Sequence, residues 1–589
     1  MYLPEILATR VQQIVAALVS PEVADQVRVL PAPPGRGDVA ICTAPIAQAA
    51  ARKGLQVNAP RLADDLAQRL VESVELCGHA QADGVYVNIR VHEGSLLRAA
   101  ERAPITVLRV PHSERIMVEY LSPNTNKPLH LGHIRNGVLG STLVRLLSDI
   151  GHTVVSAILV NDRGVHICAS MLAYQRYGDG ATPESSEIKG DHFVGQFYVR
   201  FSQEKKAAER EDGSSPLDEE AAALLKRWEA GDRDVHTLWG HMNQWVYDGF
   251  GVTEDRFGFT FDVRYYESEL YQLGKDIARR GLEGGIFTRT EEGGISYPLP
   301  VAEFGLNAYE QQNVVGLLRG DGTSNYLTQD LGVAVLKADR HDLDRSIYVV
   351  ACEQDRHFAT LFSILRQLGY RWANSLYHLS YEMVELPEGR MKSREGTVID
   401  ADDLADELRA LARAELEKRG RTDCDESEID RRAEVIGMAA IKFFFAIATT
   451  TKRIKFDSQR SLRFDGDTGP YVLYTYARAR SILRRAQAAG FSVTSQEATL
   501  GDTASERELA VLLSFLPDTI YRCGKAYDTA GIARAALSLA KAFNRFYNEA
   551  PILTSELSHR RGRLLLTNAT VHMLDRLLGI LGIETLEEM

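Results

Sequence analysis

The stretch from Arg115 to Val160 reads RIMVEYLSPNTNKPLHLGHIRNGVLGSTLVRLLSDIGHTVVSAILV. Residues 116–120 are a short apolar run that suits a buried strand. A Ser122-Pro123-Asn124 loop follows, then a helical pattern over 132–150, then a second β-branched run over 154–160. Strand, helix and strand within about 45 residues form a βαβ unit and imply a parallel sheet. Residues 346–351 read as a further buried strand, again followed by a helix. This region is therefore expected to be a doubly wound, Rossmann-like domain.

The flanks differ in pattern. Before this region, Ile6, Val11, Ile14, Val15 and Leu18 recur at helical spacing, Pro31-Ala32-Pro33-Pro34-Gly35 marks a linker, and residues 85–91 alternate like a strand. Residues 203–234 are rich in Glu, Asp, Lys, Arg and Ala and read as a solvated insertion or an exposed helix pair. From about residue 401 the pattern is helical to the end. The expected plan is α/β multidomain: a small N-terminal α+β domain over 1–108, the parallel-sheet domain with insertions over 109–400, and a C-terminal α-helical bundle over 401–589.

Bulk properties bound the function. A chain of 589 residues is too long for one core and implies about three or four domains. With 45% hydrophobic and 25% charged residues it has the balance of a soluble globular protein. No apolar run approaches a membrane span, and Met1-Tyr2-Leu3-Pro4-Glu5 does not open a signal peptide, so no membrane partner is expected. Cys42, Cys77, Cys168, Cys352, Cys424 and Cys523 form no CxxC pair. They fit a reducing cytoplasm and argue against a zinc ribbon, and no metal site is expected. A net charge of −12 disfavours a non-specific DNA binder, though it leaves room for a local basic track.

The chemistry concentrates in Ser122-Pro123-Asn124-Thr125-Asn126-Lys127-Pro128-Leu129-His130-Leu131-Gly132-His133. Two histidines three apart sit where a strand turns into a helix. The free N–H groups of a helix start favour an anion. Gly132 leaves room for a flat base near the backbone. His130 and His133 can donate to a phosphate whose charge grows in a transition state. A satisfied histidine pair or a metal site are the competing readings of HxGH alone. A second stretch, Gly389-Arg390-Met391-Lys392-Ser393-Arg394-Glu395-Gly396-Thr397, is a cationic loop that would neutralise a phosphate or simply coat the surface. Gly35-Arg36-Gly37-Asp38 matches a dinucleotide fingerprint loosely but follows a Pro-rich linker, and GxxxxGK[ST] does not occur.

With these residues the chain resembles the class I aminoacyl-tRNA synthetases, and the Ser-Pro-Asn-x-x-Lys-Pro lead-in resembles their arginyl family. The resemblance covers nearly the whole chain. It implies ATP binding by His130, Gly132 and His133, with Met391, Lys392, Ser393 and Arg394 as a degenerate second signature and Lys127 compensating for it. Glu119, Asn124, Tyr326, Asp330 and Gln354 match the family's arginine pocket. Paired carboxylates are the natural receptor for a planar guanidinium, and Tyr326 and Asp330 lie one helical turn apart. As bare residues, Glu119 and Asp330 also read as structural ion-pair partners.

The stretches 467–483 and 543–551 resemble the family's anticodon-binding helices. They place Tyr476, Arg478, Arg480 and Arg545 as candidate tRNA contacts, with a core role open for the tyrosines. The N-terminal domain resembles the family's additional tRNA-binding domain. Asn161-Asp162-Arg163-Gly164-Val165-His166 departs from the family, which carries Asp-Trp-Gly-Thr-Gln there.

The implied activity is an aminoacyl-tRNA ligase that joins L-arginine to tRNA(Arg) through arginyl-adenylate. It would use ATP with Mg²⁺, no prosthetic group and no side-chain nucleophile, and a cytoplasmic monomer is expected. A paralogue that activates arginine for another acceptor, or a non-catalytic RNA-binding protein, are the alternatives.

Overall fold

The computed structural model describes residues 3–33, 35–210, 214–304, 314–385, 399–420 and 425–589. Its contacts divide the chain into two compact units. One comprises Val110–Leu408 and Ala448–Ser458, the other Met1–Arg109, Arg409–Ile447 and Gln459–Met589. This division differs from the one read off the sequence. The N-terminal segment packs into one body with the C-terminal helices. A short return, 448–458, belongs with the first unit, where Ile454–Lys455 forms a separate two-stranded parallel sheet with Val384–Glu385.

The first unit is built on a five-stranded, wholly parallel sheet. Its strands are β1 (Arg115–Glu119), β2 (Thr153–Val160), β3 (Val263–Tyr266), β4 (Arg345–Ala351) and β5 (Leu376–Tyr381), in the order β5-β4-β1-β2-β3. Helix α1 (Leu131–Asp149) makes the β1-to-β2 crossover. Helix α2 (Tyr326–His341) precedes β4, and α3 (Asp355–Gln367) joins β4 to β5. The strand order reverses at β1, between β2 and β4. In such sheets ligands bind in the crevice beyond the strand ends at that reversal.

The sequence accounts for the packing of α1. Leu131, Ile134, Val138, Leu139, Leu143, Leu146 and Leu147 are all buried. Gly140 lets the helix approach β1, since a Cβ there would lie 2.2 Å from Cγ of Tyr120. Arg135 is also fully buried. Its guanidinium donates to the carbonyls of Met383, Thr449 and Lys452 at 3.1–3.4 Å, so a cation at mid-helix is spent on loop backbone. Four long helices, Val165–Tyr177, Gly190–Ala207, Pro216–Glu229 and Arg233–Phe257, with the single turn Pro183–Ser186, make up the insertion between β2 and β3 among the described residues. The acid- and lysine-rich stretch expected to be solvated lies in it and is amphipathic. Leu217, Ala221, Leu224 and Trp228 are buried, because a polar outer face does not exclude an apolar inner one. A three-stranded antiparallel sheet, ordered Val314–Leu318, Ile295–Pro298, Thr288–Arg289, packs with α2 and α3 in a separate cluster around Tyr297, Leu317 and Leu331.

The second unit holds a four-stranded antiparallel sheet and the C-terminal helices Glu426–Ile447, Gly469–Ala488, Ala504–Ala526, Thr529–Glu549 and Leu557–Ile580. Asp38 joins them. Its buried carboxylate accepts from the Val91 N–H at 2.7 Å and from Nε of Arg507 at 2.6 Å. The Gly35-Arg36-Gly37-Asp38 fingerprint is thus the turn between two antiparallel strands, and its acid is spent on packing. Arg576 donates to the carbonyl of Thr106 at 2.7 Å, a second tie between the two ends of the chain.

Candidate active site

The turn after β1 is strained and tightly held. Leu121 (φ 77°) and Ser122 (φ 39°) are consecutive non-glycine residues in the left-handed region, which costs about 1–3 kcal/mol each. The buried amide of Asn136 on α1 compensates. Its Oδ1 accepts from the Leu121 N–H at 2.6 Å, and its Nδ2 donates to the Val349 carbonyl at 2.7 Å and the Tyr381 hydroxyl at 3.0 Å. The loop beyond is tied to the end of β2. Asn161 N–H donates to the Pro123 carbonyl at 2.9 Å, and Thr125 N–H to the Asn161 carbonyl at 3.0 Å.

This loop delivers His130 as the N-cap of α1. Nδ1 of His130 accepts from the Gly132 N–H, and Nδ1 of His133 accepts from the His130 N–H, both at 3.1 Å. The ring centroids are 3.9 Å apart. Because both Nδ1 atoms accept, the hydrogen-bond network assigns the proton of each ring to Nε2. Burial, with the charge of Lys127 adding to it, holds His130 down to about 3. Burial, His130 and Lys127 hold His133 far below its ordinary value. The pair is therefore two neutral N–H donors at a helix start. At Gly132 a Cβ would lie 3.0 Å from the His130 ring, so a glycine lets the ring sit against the helix start.

Beside this turn opens a cavity of about 430 Å³. Asn124, Tyr326, Asp330 and Gln354, four of the five residues expected to form one pocket, line it. Asp330 receives a hydrogen bond from Nε2 of His357 at 2.6 Å. Tyr326 opens α2 and is 69% exposed, so its ring is available at the rim. Glu119 is not among the lining residues. Its buried carboxylate is ion-paired to Lys337, whose ammonium lies 5.2 Å from the Tyr265 ring and 5.6 Å from the Tyr348 ring. The structure thus places Glu119 in an ion pair outside the cavity lining, at a register position opposite Tyr348 and Ala157 where a buried carboxylate needs a counter-charge.

A second carboxylate does line the cavity, and sequence reasoning missed it. Glu267 begins the short helix Glu267–Leu270 after β3. Burial raises its carboxyl to about 7, Arg163 opposes that shift, and Asp330 and Asp162 reinforce it. Asp162 holds this turn by accepting from the Ser268 N–H at 2.8 Å, the Ser268 hydroxyl at 2.6 Å and the Tyr247 hydroxyl at 2.8 Å. The available signal was Glu267 immediately after a strand of the parallel sheet. His166 also lines the cavity, and burial lowers it to about 4. The arrangement offers two carboxylates, an exposed phenol and amides to a flat cationic group, within reach of a neutral donor pair suited to an anion.

On the other side of the turn a hollow of about 510 Å³ is lined by Lys127, His130, His192, Tyr198, Arg200 and Asp400. Met391, Lys392, Ser393 and Arg394 lie outside the described residues. The segment after them bonds back to the histidine turn, with Leu131 N–H donating to the Ile399 carbonyl at 3.1 Å and Ala401 N–H to the Leu129 carbonyl at 3.0 Å.

In the helical unit, Tyr476 is 6% exposed and belongs to the core, so its ring offers no open face to a base. This matches the core role left open for the tyrosines of this stretch. Arg480 is ion-paired with Glu587 at 2.6 Å and Arg545 with Glu508 at 2.8 Å. Arg478 lies 4.8 Å from the ring of Tyr474 and 5.0 Å from that of Tyr547, the latter 40% exposed.

Comparison with known proteins agrees with this layout. The family model described as tRNA synthetases class I (R), catalytic domain, matches residues 100–455, and the DALR anticodon binding domain matches residues 472–589. The arginine–tRNA ligase of Bacteroides fragilis (strain YCH46) is 41% identical over 530 residues, covering 88% of this chain and 84% of the relative. That of Porphyromonas gingivalis (strain ATCC 33277) is 43% identical over 491 residues, covering 81% of each. Among solved structures, Thermus thermophilus arginyl-tRNA synthetase superposes with a TM-score of 0.82 at 25% identity over 100% of both chains.

Two outcomes follow from the geometry. Both histidines stay neutral from pH 5 to pH 8, so the ring C–H resonances of His130 and His133 should show no titration in that window by NMR. A midpoint near the ordinary histidine value would contradict the neutral donor pair. Lys337→Met should lower stability by about 3–5 kcal/mol, as expected when a buried carboxylate loses its partner. The double variant Lys337→Met with Glu119→Leu should recover much of that loss. Thermal unfolding that finds the double variant worse than the single one would refute the pairing.

Proposed function

The chain belongs to the class I arginine–tRNA ligase family, and on that premise we propose how its residues divide the reaction. The enzyme activates L-arginine with ATP and transfers it to tRNA(Arg). In the first step an arginine carboxylate oxygen attacks the α-phosphorus of ATP and pyrophosphate leaves, giving arginyl-adenylate. In the second, the 2′-hydroxyl of the terminal adenosine attacks the carbonyl carbon and AMP leaves. Neither step calls for a side-chain nucleophile. Positioning and charge stabilisation carry the rate.

The observation that carries the residue assignment is the cavity holding Asp330 and Glu267 beside the histidine turn. Asp330 and Glu267 take the guanidinium, with Tyr326 at the rim. Asn124 and Gln354, at the ends of the loops that follow β1 and β4, take the α-amino end. Nε2–H of His130 and His133 donates to the phosphates, where a neutral donor gains strength as charge develops. Lys127 adds a cation there, and residues 391–394 supply the cationic charge of the second signature. Mg²⁺ enters with the ATP phosphates. The compact cluster of Asp191, His192 and Asp402 does not suit it, since the ammonium of Lys189 already lies 3.1 Å from Asp191 and 2.6 Å from Asp402. Arg478, with Tyr474 and Tyr547, is the better candidate for RNA contact, because stacked arginine and tyrosine suit an unstacked base. Arg480 and Arg545 can exchange their exposed carboxylate partners for phosphate. No helix among the described residues is long and apolar enough to cross a membrane, and we expect a cytoplasmic monomer.

Pyrophosphate exchange in the presence of tRNA separates the two halves of the site. Asp330→Asn should raise KM for arginine about thirtyfold or more, with KM for ATP little changed, as for loss of one partner in a hydrogen-bonded charge pair. His133→Ala should lower kcat about a hundredfold while KM for arginine stays within a few-fold. An unchanged arginine KM in the first variant would remove the cavity from arginine recognition. A wild-type kcat in the second would remove the imidazoles from the chemistry.

A further inference from the structure

Arg163 stands where the resembling family carries tryptophan, and the reaction described above does not use it. Its side chain is buried, 10% exposed, and pairs with Glu229 on the helix Pro216–Glu229. The guanidinium carbon lies 3.9 Å from the centroid of Tyr271 and 5.5 Å from that of Trp228. Arg163 does not line the arginine cavity, but Tyr271 and Glu267 both do. The chain has thus placed a guanidinium of its own against the wall of a site that receives a guanidinium.

The charges around Glu267 give this placement a purpose. Tyr271, on which Arg163 stacks, donates its N–H to the Glu267 carbonyl at 3.0 Å, Asp162 holds the adjoining Ser268, and α2 presents Asp330, which His357 of α3 caps, to the same cavity. From the insertion helices, Glu229 faces Arg163 and Tyr247 faces Asp162. Of these groups Arg163 is the one that favours the ionised form of Glu267, while burial, Asp330 and Asp162 all oppose it. Two acids close to a third would keep one of them protonated, and a protonated acid is a poor partner for a guanidinium. Glu229 in turn offsets the repulsion that an unpaired Arg163 would exert on a cationic substrate. A tryptophan at this position would fill the aromatic box and leave Glu267 without the charge.

We propose that Arg163 is a positioning residue for arginine recognition, supplying the fixed positive charge that stands behind Glu267 and the stacking partner that holds Tyr271 as a cavity wall. It acts through those two residues and does not touch the substrate. The inference rests on the cavity being the arginine site.

The test is the pH dependence of kcat/KM for arginine, from pH 5.5 to pH 9, in the full-length enzyme with tRNA. Glu267 must be ionised to bind a guanidinium, so the ratio falls as pH drops through about 7. Without Arg163 that acidic limb moves to higher pH. Arg163→Trp should shift it up by about one unit and raise KM for arginine about fivefold at pH 7, approaching tenfold below pH 6, one unit being a factor of ten in the ionised fraction there. KM for ATP should stay within about twofold on the same argument. Arg163→Gln, which keeps a planar polar end without the charge, should shift the limb the same way, and Arg163→Lys should leave it near the wild-type position. A limb that stays put in both Trp and Gln variants, or equal rises in both KM values, overturns the inference. Asp330→Asn is measured alongside. If it leaves arginine KM unchanged, the cavity reading itself has failed. If it raises arginine KM while the Arg163 variants shift nothing, only the role of Arg163 has failed.

Discussion

The amide of Asn136 is the contact on which the catalytic unit turns. One side chain on α1 binds the backbone at Leu121, the backbone of β4 and the hydroxyl of Tyr381 on β5. It thereby holds two left-handed residues in place at the point where the strand order reverses. Everything chemical follows from the path this turn sets. The loop passes Asn124 along the cavity, crosses to the end of β2 and lands with His130 capping α1. A buried polar network of this kind is costly unless every partner is met, and here the strained turn is what needs the partners. An apolar residue at position 136 would leave the Leu121 N–H and the Val349 carbonyl without this bond and the turn without its tie.

Charge is handled in the same way throughout this unit. Arg135 donates to three carbonyls, Lys337 is paired with Glu119, and Arg163 lies between Glu229 and aromatic faces. Asp330 and Glu267 are different: at the cavity they meet each other, and Asp330 meets a histidine. The acidity of the whole chain thus says little about its anionic substrates. The local pattern decides, with the imidazole pair on one side of the turn and the carboxylates of Asp330 and Glu267 lining the cavity on the other.

Much of this was legible in the sequence. The strand, turn and helix from Arg115 to Val160 carry strong periodicity and a histidine pair at the boundary, and the structure puts them where that pattern requires. Asn124, Tyr326, Asp330 and Gln354 converge because each sits at the top of a strand or the start of a helix. Three features were not legible, each for a physical reason. Glu119 is paired with Lys337, 218 residues away, and such pairing is a matter of tertiary distance. Glu267 lies in no local motif and becomes a site residue only when Asp162 ties its turn to the end of β2. Tyr476 sits among exposed-looking arginines, yet a one-residue rotation on a helix separates a buried ring from an accessible one. The union of the N-terminal segment with the C-terminal helices likewise rests on single long-range contacts such as Arg507 with Asp38.

The central claim is that this chain charges tRNA with arginine by reading a cationic fork. The direct measurement is aminoacylation of purified tRNA with labelled arginine and ATP, with citrulline and lysine as competitors. The account predicts charging that neither competitor inhibits, because paired carboxylates reject a neutral isostere and a single-point ammonium does not fill them. Absence of charging by folded enzyme on intact tRNA, or inhibition by citrulline as strong as by unlabelled arginine, would contradict it.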